Sequence, residues 1–260
     1  MKFGMPTLLE LDGLQANVDL AQKLGLSFVE INANVPEFQV DVLDPLELLR
    51  FTQSTGINFT LHLDEYLSIT DPNLKIAHAY LNSVLESIEF AKKAKINRLT
   101  MHMIPGVVFT LPTQKIYVYE KYTAYYMERL EHFRDEVTQA IGDQAIKLCI
   151  ENTEGFKPYM REGIECLLKS PVFGLTYDCG HNARYEQVDD DFMKAHQPSI
   201  HHMHLHDVIG KKDHQPLGTG DLDLKAELAF VAMNHPSVVV EVKSVGALTL
   251  AVAGLKNILG

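Results

Sequence analysis

One pattern recurs through this chain of 260 residues: a short apolar run ends in a single acidic or imidazole side chain, and loop-like residues follow. The clearest case is Leu148-Cys149-Ile150-Glu151-Asn152-Thr153-Glu154-Gly155. Comparable endings stand at Glu30, His62, His102, Asp178, His204 and Glu241. A buried strand that delivers one polar side chain to a wet face reads this way. A series of such strands reads as a ring of polar groups at one end of a barrel.

The spacing predicts strands at 2–5, 27–32, 58–62, 97–102, 145–151, 172–178, 199–206 and 237–242. Helices are predicted between them. The first spans 8–24, with Leu11, Leu14, Val18, Ala21 and Leu24 near helical spacing and Gly25 as its stop. Asp44-Pro45 and Asp71-Pro72 open the next two, because Asp caps a helix and Pro suits its first position. Further helices are expected at 119–141, 161–169, 189–196, 226–233 and 247–259, with irregular connections at 104–118 and 207–224. Eight alternations in one chain of this length predict a single-domain α/β fold over 1–260, a (β/α)8 TIM barrel. An open doubly wound sheet would not need a polar residue at nearly every strand end, and no GxGxxG follows the first strand. Short repeats of fixed period are absent.

Side chains alternate along a strand, so the terminal polar residue fixes the inward face. His62, Thr60 and Asn58 share one face, His102, Thr100 and Arg98 another, and Asp178, Thr176 and Gly174 a third. Tyr177, Leu175 and Phe173 then face the helices. In the seventh strand His202, His204 and His206 point together, and each buried imidazole needs hydrogen-bond partners. His201 and His202 read as structural, and Gly218 and Gly220 as residues that permit a tight loop. Glu30 can touch a substrate, orient a histidine or simply bond in the interior. The aromatic cluster Phe109, Tyr117, Tyr119, Tyr122, Tyr125 and Tyr126 reads as helix packing, with a lid or subunit contact as the other option.

The formal net charge of −11 and pI near 5.5 argue against nonspecific nucleic-acid binding, which needs a basic surface. No run approaches a membrane span and the first residues lack a signal-peptide layout, so a cytoplasmic protein is expected. Cys149, Cys166 and Cys179 form neither an even set nor a CxxC pair and read as buried reduced thiols.

Glu151, Glu241, Asp178 and His204 together make an oxygen-rich set of four ligands. Such a set suits a divalent ion such as Mn, Mg, Co or Zn. His62, His102, His181, His214 and Asp213 are candidates for extending it to a second or third ion.

Taken in order, Glu151-Asn152-Thr153, Asp178-Cys179-Gly180-His181, His204-Leu205-His206-Asp207, Asp213-His214-Gln215-Pro216-Leu217-Gly218-Thr219-Gly220 and Val240-Glu241 resemble the xylose-isomerase-like TIM-barrel superfamily. That group holds sugar isomerases and epimerases together with endonuclease IV, and the resemblance spans essentially the whole chain. It implies that Glu151, Asp178, His204 and Glu241 hold one metal, with Glu151 and Glu241 as the acid–base pair on either side of the substrate carbon. The implied reaction is proton transfer in a sugar or sugar phosphate through a metal-stabilised enediolate. His181 then contacts a substrate hydroxyl, and Glu30 and His206 are further candidates for substrate contact. The alternative is an endonuclease IV-like phosphodiesterase acting on abasic DNA, in which His62, His102 and His181 match further ligands with His214 beside them. The chain departs from that pattern by carrying Lys212 where the Asp-x-His pair has its acid. No loop rich in Arg and Lys suits a DNA backbone, and no such cluster marks a phosphate pocket. A non-catalytic sugar-binding barrel is the third reading. The expected partner is a small sugar or polyol, unphosphorylated by preference, with a homo-oligomer as a possible assembly.

Overall fold

All of the polar-ended runs are parallel strands of one closed barrel. The structure, a computed structural model, describes residues 1–260. The first third of the chain contains β1 (Lys2–Pro6), α1 (Gly13–Leu24), β2 (Phe28–Asn32), α2 (Pro45–Thr55), β3 (Asn58–His62) and α3 (Leu74–Ala94). Next come β4 (Arg98–His102), the ribbon strands β5 (Val108–Thr110) and β6 (Lys115–Tyr117), α4 (Val118–Lys121), α5 (Thr123–Ile141) and β7 (Lys147–Glu151). They are followed by α6 (Pro158–Leu167), β8 (Phe173–Asp178), α7 (Cys179–Arg184), α8 (Asp190–Ala195) and β9 (Ile200–Leu205). The chain ends with β10 (Asp207–Ile209), β11 (Lys212–Gln215), α9 (Leu224–Val231), β12 (Ser237–Val240) and α10 (Val245–Leu259). The barrel runs β1-β12-β9-β8-β7-β4-β3-β2 and closes on itself, so it has no free edge. No helix is long and apolar enough to cross a membrane.

Local sequence sets the helix ends. Asp44 accepts the Leu46 N–H with Pro45 at the first helical position, and Gly56 ends α2 at a φ of 76°. Gly25 ends α1 in the same left-handed conformation, returning its N–H to the last turn.

The apolar face of each strand is buried under the helices. Val29, Ile31, Leu61, Leu99, Met101, Leu148, Ile150, Leu175, Met203 and Leu205 are fully buried there. The opposite face fills the lumen with small and polar side chains. Thr100 and Thr176 meet at 3.0 Å across it, and Thr60 donates to Glu30 at 2.9 Å. Phe28 lies below them in space that Gly4 leaves open, since a Cβ on Gly4 would overlap the Phe28 ring. The lumen is therefore a packed floor, and only its upper end is free for chemistry.

Register at one strand departs from simple alternation. Leu175 pairs with Ile200, but the next residue, Thr176, pairs with His202, so His201 is an extra residue in a bulge. The bulge lets Ile200 face the helices while His202 and His204 face the lumen.

Four segments differ from the sequence expectation. Residue 8 does not start α1; its N–H is bound by Asn17 Oδ1 at 2.8 Å, and the apolar Leu8 packs as buried loop. The segment 104–118 contains the β5–β6 ribbon, and the segment 207–224 contains the β10–β11 ribbon. Helix α7 begins directly after β8, capped by Asp178, whose Oδ1 accepts the His181 N–H at 2.6 Å.

Buried Asp207 anchors the long loop after β9. Its carboxylate accepts four backbone N–H groups, those of Val208 (2.9 Å), Gly218 (3.0 Å), Gly220 (2.8 Å) and Leu222 (3.2 Å). Gly220 must be glycine, because a Cβ there would overlap the Val208 carbonyl and the Asp207 carboxylate. This loop carries Asp213 and His214 back over the barrel mouth.

Candidate functional site

Glu151 lies at the centre of the upper barrel. Strand register puts it beside His102 on β4 and Thr176 on β8. Its Oε2 faces His62 Nε2 at 3.2 Å and His102 Nε2 at 3.4 Å, while its Oε1 faces His204 Nδ1 at 3.3 Å and His181 Nδ1 at 3.5 Å. Asp178, in register with His204, has Oδ2 3.2 Å from His181 Nδ1 and 3.8 Å from His204 Nδ1. Glu241 follows directly after β12 and brings Oε2 to 3.2 Å from His204 Nδ1. Three carboxylates thus converge on one imidazole nitrogen.

The hydrogen bonds fix which nitrogen each ring presents. His204 Nε2 contacts Glu30 Oε1 at 2.9 Å, an acceptor only, so the proton resides on Nε2 and Nδ1 points into the site. His62 donates from Nδ1 to the Leu63 carbonyl at 2.8 Å, which turns its Nε2 toward Glu151. His206 accepts the His214 backbone N–H at Nδ1 (2.8 Å) and therefore donates from Nε2 to Asp178 (3.2 Å).

Electrostatics follows from this crowding. Burial favours the neutral carboxyl of Glu151, yet the imidazoles of His204, His102 and His181 outweigh it and hold the acid ionised well below its usual range. Glu241 is likewise held well below its usual range by His204 and Lys243 against burial. Burial opposes the charge on His181, but Asp178 and Glu151 push its ring up to about 10. His204 is raised well above its ordinary value by Glu151, Glu30 and Glu241, again against burial.

Four buried polar atoms at this point have no hydrogen-bond partner: His181 Nδ1, His204 Nδ1, His214 Nε2 and Glu241 Oε2. Buried polar atoms are normally satisfied, so unpaired donor atoms converging on one spot fit a cation. Several groups of three have ligand atoms within 4.8 Å of one another, among them Glu151–Asp178–His204, His62–His102–Glu151 and His181–His206–His214. All the donors are nitrogen or oxygen, the composition expected for a hard or borderline divalent ion.

The other residues singled out in the sequence take distinct places. Glu30 is buried beneath the ring, its oxygens taken by Thr60, His202 (2.8 Å) and His204. His206 lies behind Asp178, stacked at 4.2 Å on His214. Asp213 belongs to none of the convergent groups; it pairs with Arg184 at 2.6 Å and with His214 Nδ1 at 3.1 Å. His214 in turn brings Nε2 to 3.3 Å from Glu241 Oε1. The sequence reading missed Arg184, Asp207 and Lys243. Asp207 stands in the His204-Leu205-His206-Asp207 run but was given no role there, and Lys243 stands two residues after Glu241, where it places Nζ 2.7 Å from Glu241 Oε1. Of the aromatic cluster, Tyr119 and Tyr126 pack with Tyr159 as buried helix contacts, whereas Phe109 and Tyr122 are exposed and do not follow the packing expectation. The three cysteines are buried and free.

Gly180 is a tight point. A Cβ there would overlap the His206 ring, which is fully buried and has no room to retreat. Gly180→Ala is expected to cost about 1–3 kcal/mol by overpacking and to displace His206 from Asp178. Denaturant titration checks the first effect, and histidine NMR shifts the second.

The profile of the xylose isomerase-like TIM barrel family matches residues 18–256. The chain belongs to that family. An uncharacterized protein of Methanocaldococcus jannaschii is 24% identical over 235 residues, covering 86% of this chain and 81% of the relative. Among solved structures of similar fold, a D-tagatose 3-epimerase-like protein superimposes with a TM-score of 0.80 at 19% identity, covering 100% of this chain and 97% of the other. The apo 3-keto-D-glucoside 4-epimerase YcjR of E. coli gives a TM-score of 0.78 at 13% identity, covering 100% and 99%. The IolI protein, solved with a zinc atom bound, gives 0.73 at 18% identity, covering 100% and 96%. Identities this low carry the shared family fold and no more, so the chemistry of this member rests on its own side chains.

Proposed function

We propose that this protein is a divalent-metal-dependent sugar isomerase or epimerase, with Glu151 and Glu241 as its proton-transfer pair. The observation that carries the reading is the convergence of Glu151, Asp178 and Glu241 on His204 Nδ1, with unpaired donor atoms among them. These four residues would hold the ion. When bound, a divalent cation draws electron density from adjacent substrate oxygens and so acidifies the C–H between them. Two neighbours in fold, a D-tagatose 3-epimerase-like protein and a 3-keto-D-glucoside 4-epimerase, support this reading by analogy.

Glu151 is held ionised and is therefore able to accept a proton from the carbon beside the carbonyl. Glu241 sits across His204 from Glu151 and is the group that returns a proton on the opposite face. Lys243 and His214 bracket Glu241 Oε1, which leaves Oε2 directed into the site. His181, with its unpaired Nδ1 and a position on the cavity wall, is suited to a substrate hydroxyl.

The test is solvent exchange. With Mn and a panel of ketoses in deuterated water, deuterium is expected to enter the carbon beside the carbonyl. Nicking of abasic DNA without any sugar exchange would replace the reading with the nuclease one.

One observation favours that second reading: the His62–His102–Glu151 group adds two nitrogens that one ion does not need. The charge of the cavity opposes it. Glu65, Asp71 and Glu154 line the wall without ion-pair partners, and a polyanionic backbone would meet them. Metal stoichiometry separates the two, since one bound ion agrees with the isomerase and three would overturn it.

Glu30 supplies a further check. It holds the His204 tautomer from below, so Glu30→Gln removes the anion that keeps the proton on Nε2. A 10- to 100-fold loss of metal affinity is expected in titration calorimetry, the usual effect of losing such a partner.

A further inference from the structure

The cavity above the polar cluster has a volume of about 1150 Å³. Pockets of roughly 300–1,000 Å³ already enclose drug-sized ligands, and a single sugar ring is smaller than those. The reacting end accounts for only part of this space.

The wall changes character along its length. At the inner end lie Glu151, His62 and His102, on the barrel strands. Toward solvent the wall carries Leu9, Tyr66 and Val107, which are 80%, 75% and 50% exposed. Singly exposed apolar side chains are ordinary on a protein surface, but these three line one cavity and so are placed to touch what fills its outer part. A tyrosine there offers a flat amphipathic face at small entropy cost, suited to the apolar face of a sugar or an aglycone.

Charge narrows the outer group further. Arg184 and Lys243 are the only Arg or Lys side chains on the cavity wall. Each is already paired, Arg184 with Asp213 at 2.6 Å and Lys243 with Glu241 at 2.7 Å. Glu65, Asp71 and Glu154 add negative charge with no ion pair. A phosphate would find no free lysine or arginine and three carboxylates without a cationic partner.

We infer that the substrate is a neutral keto-glycoside, with its second ring or aglycone lying against Tyr66, Leu9 and Val107. This rests on the isomerase reading above and adds the class of substrate to it. The reacting sugar occupies the inner end, where Glu151 and Glu241 flank it, and the glycosidic substituent fills the outer part. A free or phosphorylated ketose would leave that outer wall bare.

The experiment compares deuterium wash-in by NMR on Mn-loaded protein for three matched sets: keto-disaccharides, the corresponding free ketoses and their phosphates. The keto-disaccharide is expected to exceed its free counterpart at least tenfold in kcat/KM. Tyr66→Ala, a change at an exposed position, is expected to raise KM for the disaccharide at least fivefold with kcat nearly constant. Equal or faster exchange into free or phosphorylated sugars overturns the glycoside assignment and leaves the isomerase reading standing. An unchanged KM in the Tyr66 variant overturns it as well. Exchange into none of the three sets overturns the isomerase reading, and the substrate class with it.

Discussion

Glu151→Gln is expected to abolish solvent exchange into substrate, with a fall of about 10³-fold or more in kcat, within the range that a positioned general base contributes. The geometry makes this the most damaging isosteric change in the barrel. Glu151 is the one carboxylate whose two oxygens face four imidazoles, those of His62, His102, His181 and His204. The amide cannot accept the proton, and it removes one negative charge from the ion-binding set. Calorimetric titration with Mn or Zn should therefore show weaker binding in the same variant. The fold should survive, because the amide retains the size of the acid and two of its four neighbours, His62 and His204, are hydrogen-bonded to other groups. Full exchange in Glu151→Gln would show that Glu151 is not the base, whereas sugar binding without exchange in both the parent protein and the variant would make the protein a passive sugar-binding barrel.

Asp207→Ala is expected to be the most destabilising substitution outside the apolar core. Four backbone N–H groups lose their acceptor at once, in a loop whose anchor is fully buried. Each unsatisfied buried group costs roughly 1–3 kcal/mol. Loop relaxation toward water recovers part of that, so a loss of about 3–4 kcal/mol in unfolding free energy is expected, near the upper end for single substitutions. Urea unfolding measures it. The loop also carries His214 over the site, so sugar exchange should fall in parallel. A change below about 0.5 kcal/mol, the scale of an ordinary surface substitution, would mean that Asp207 does not organise the loop.

The barrel and its inward faces were readable from the chain because both depend on short-range periodicity. Alternation along β3, β4 and β8 sets which side chains meet the lumen, and the polar residue at each strand end sets which end is wet. Every strand of the barrel was foreseen to within two residues at its ends. The ribbons β5–β6 and β10–β11 were not, because they are short antiparallel pairs on exposed loops with little apolar alternation to reveal them.

Partnership was decided only in three dimensions. The sequence offered Glu30, His206 and Asp213 as contacts for substrate or metal, in the same terms as His181. Packing separates them: Glu30 sits under His204, His206 behind Asp178, and Asp213 between Arg184 and His214. These relations join residues up to 174 positions apart, and no local pattern encodes them. The opening motif shows the division most clearly. The run ending at Glu151 determined that a carboxylate would reach the wet end of a strand. Closure of the barrel brought four imidazoles around it and held Glu241 across His204, because converging strand ends in a closed sheet bring distant residues within bonding reach.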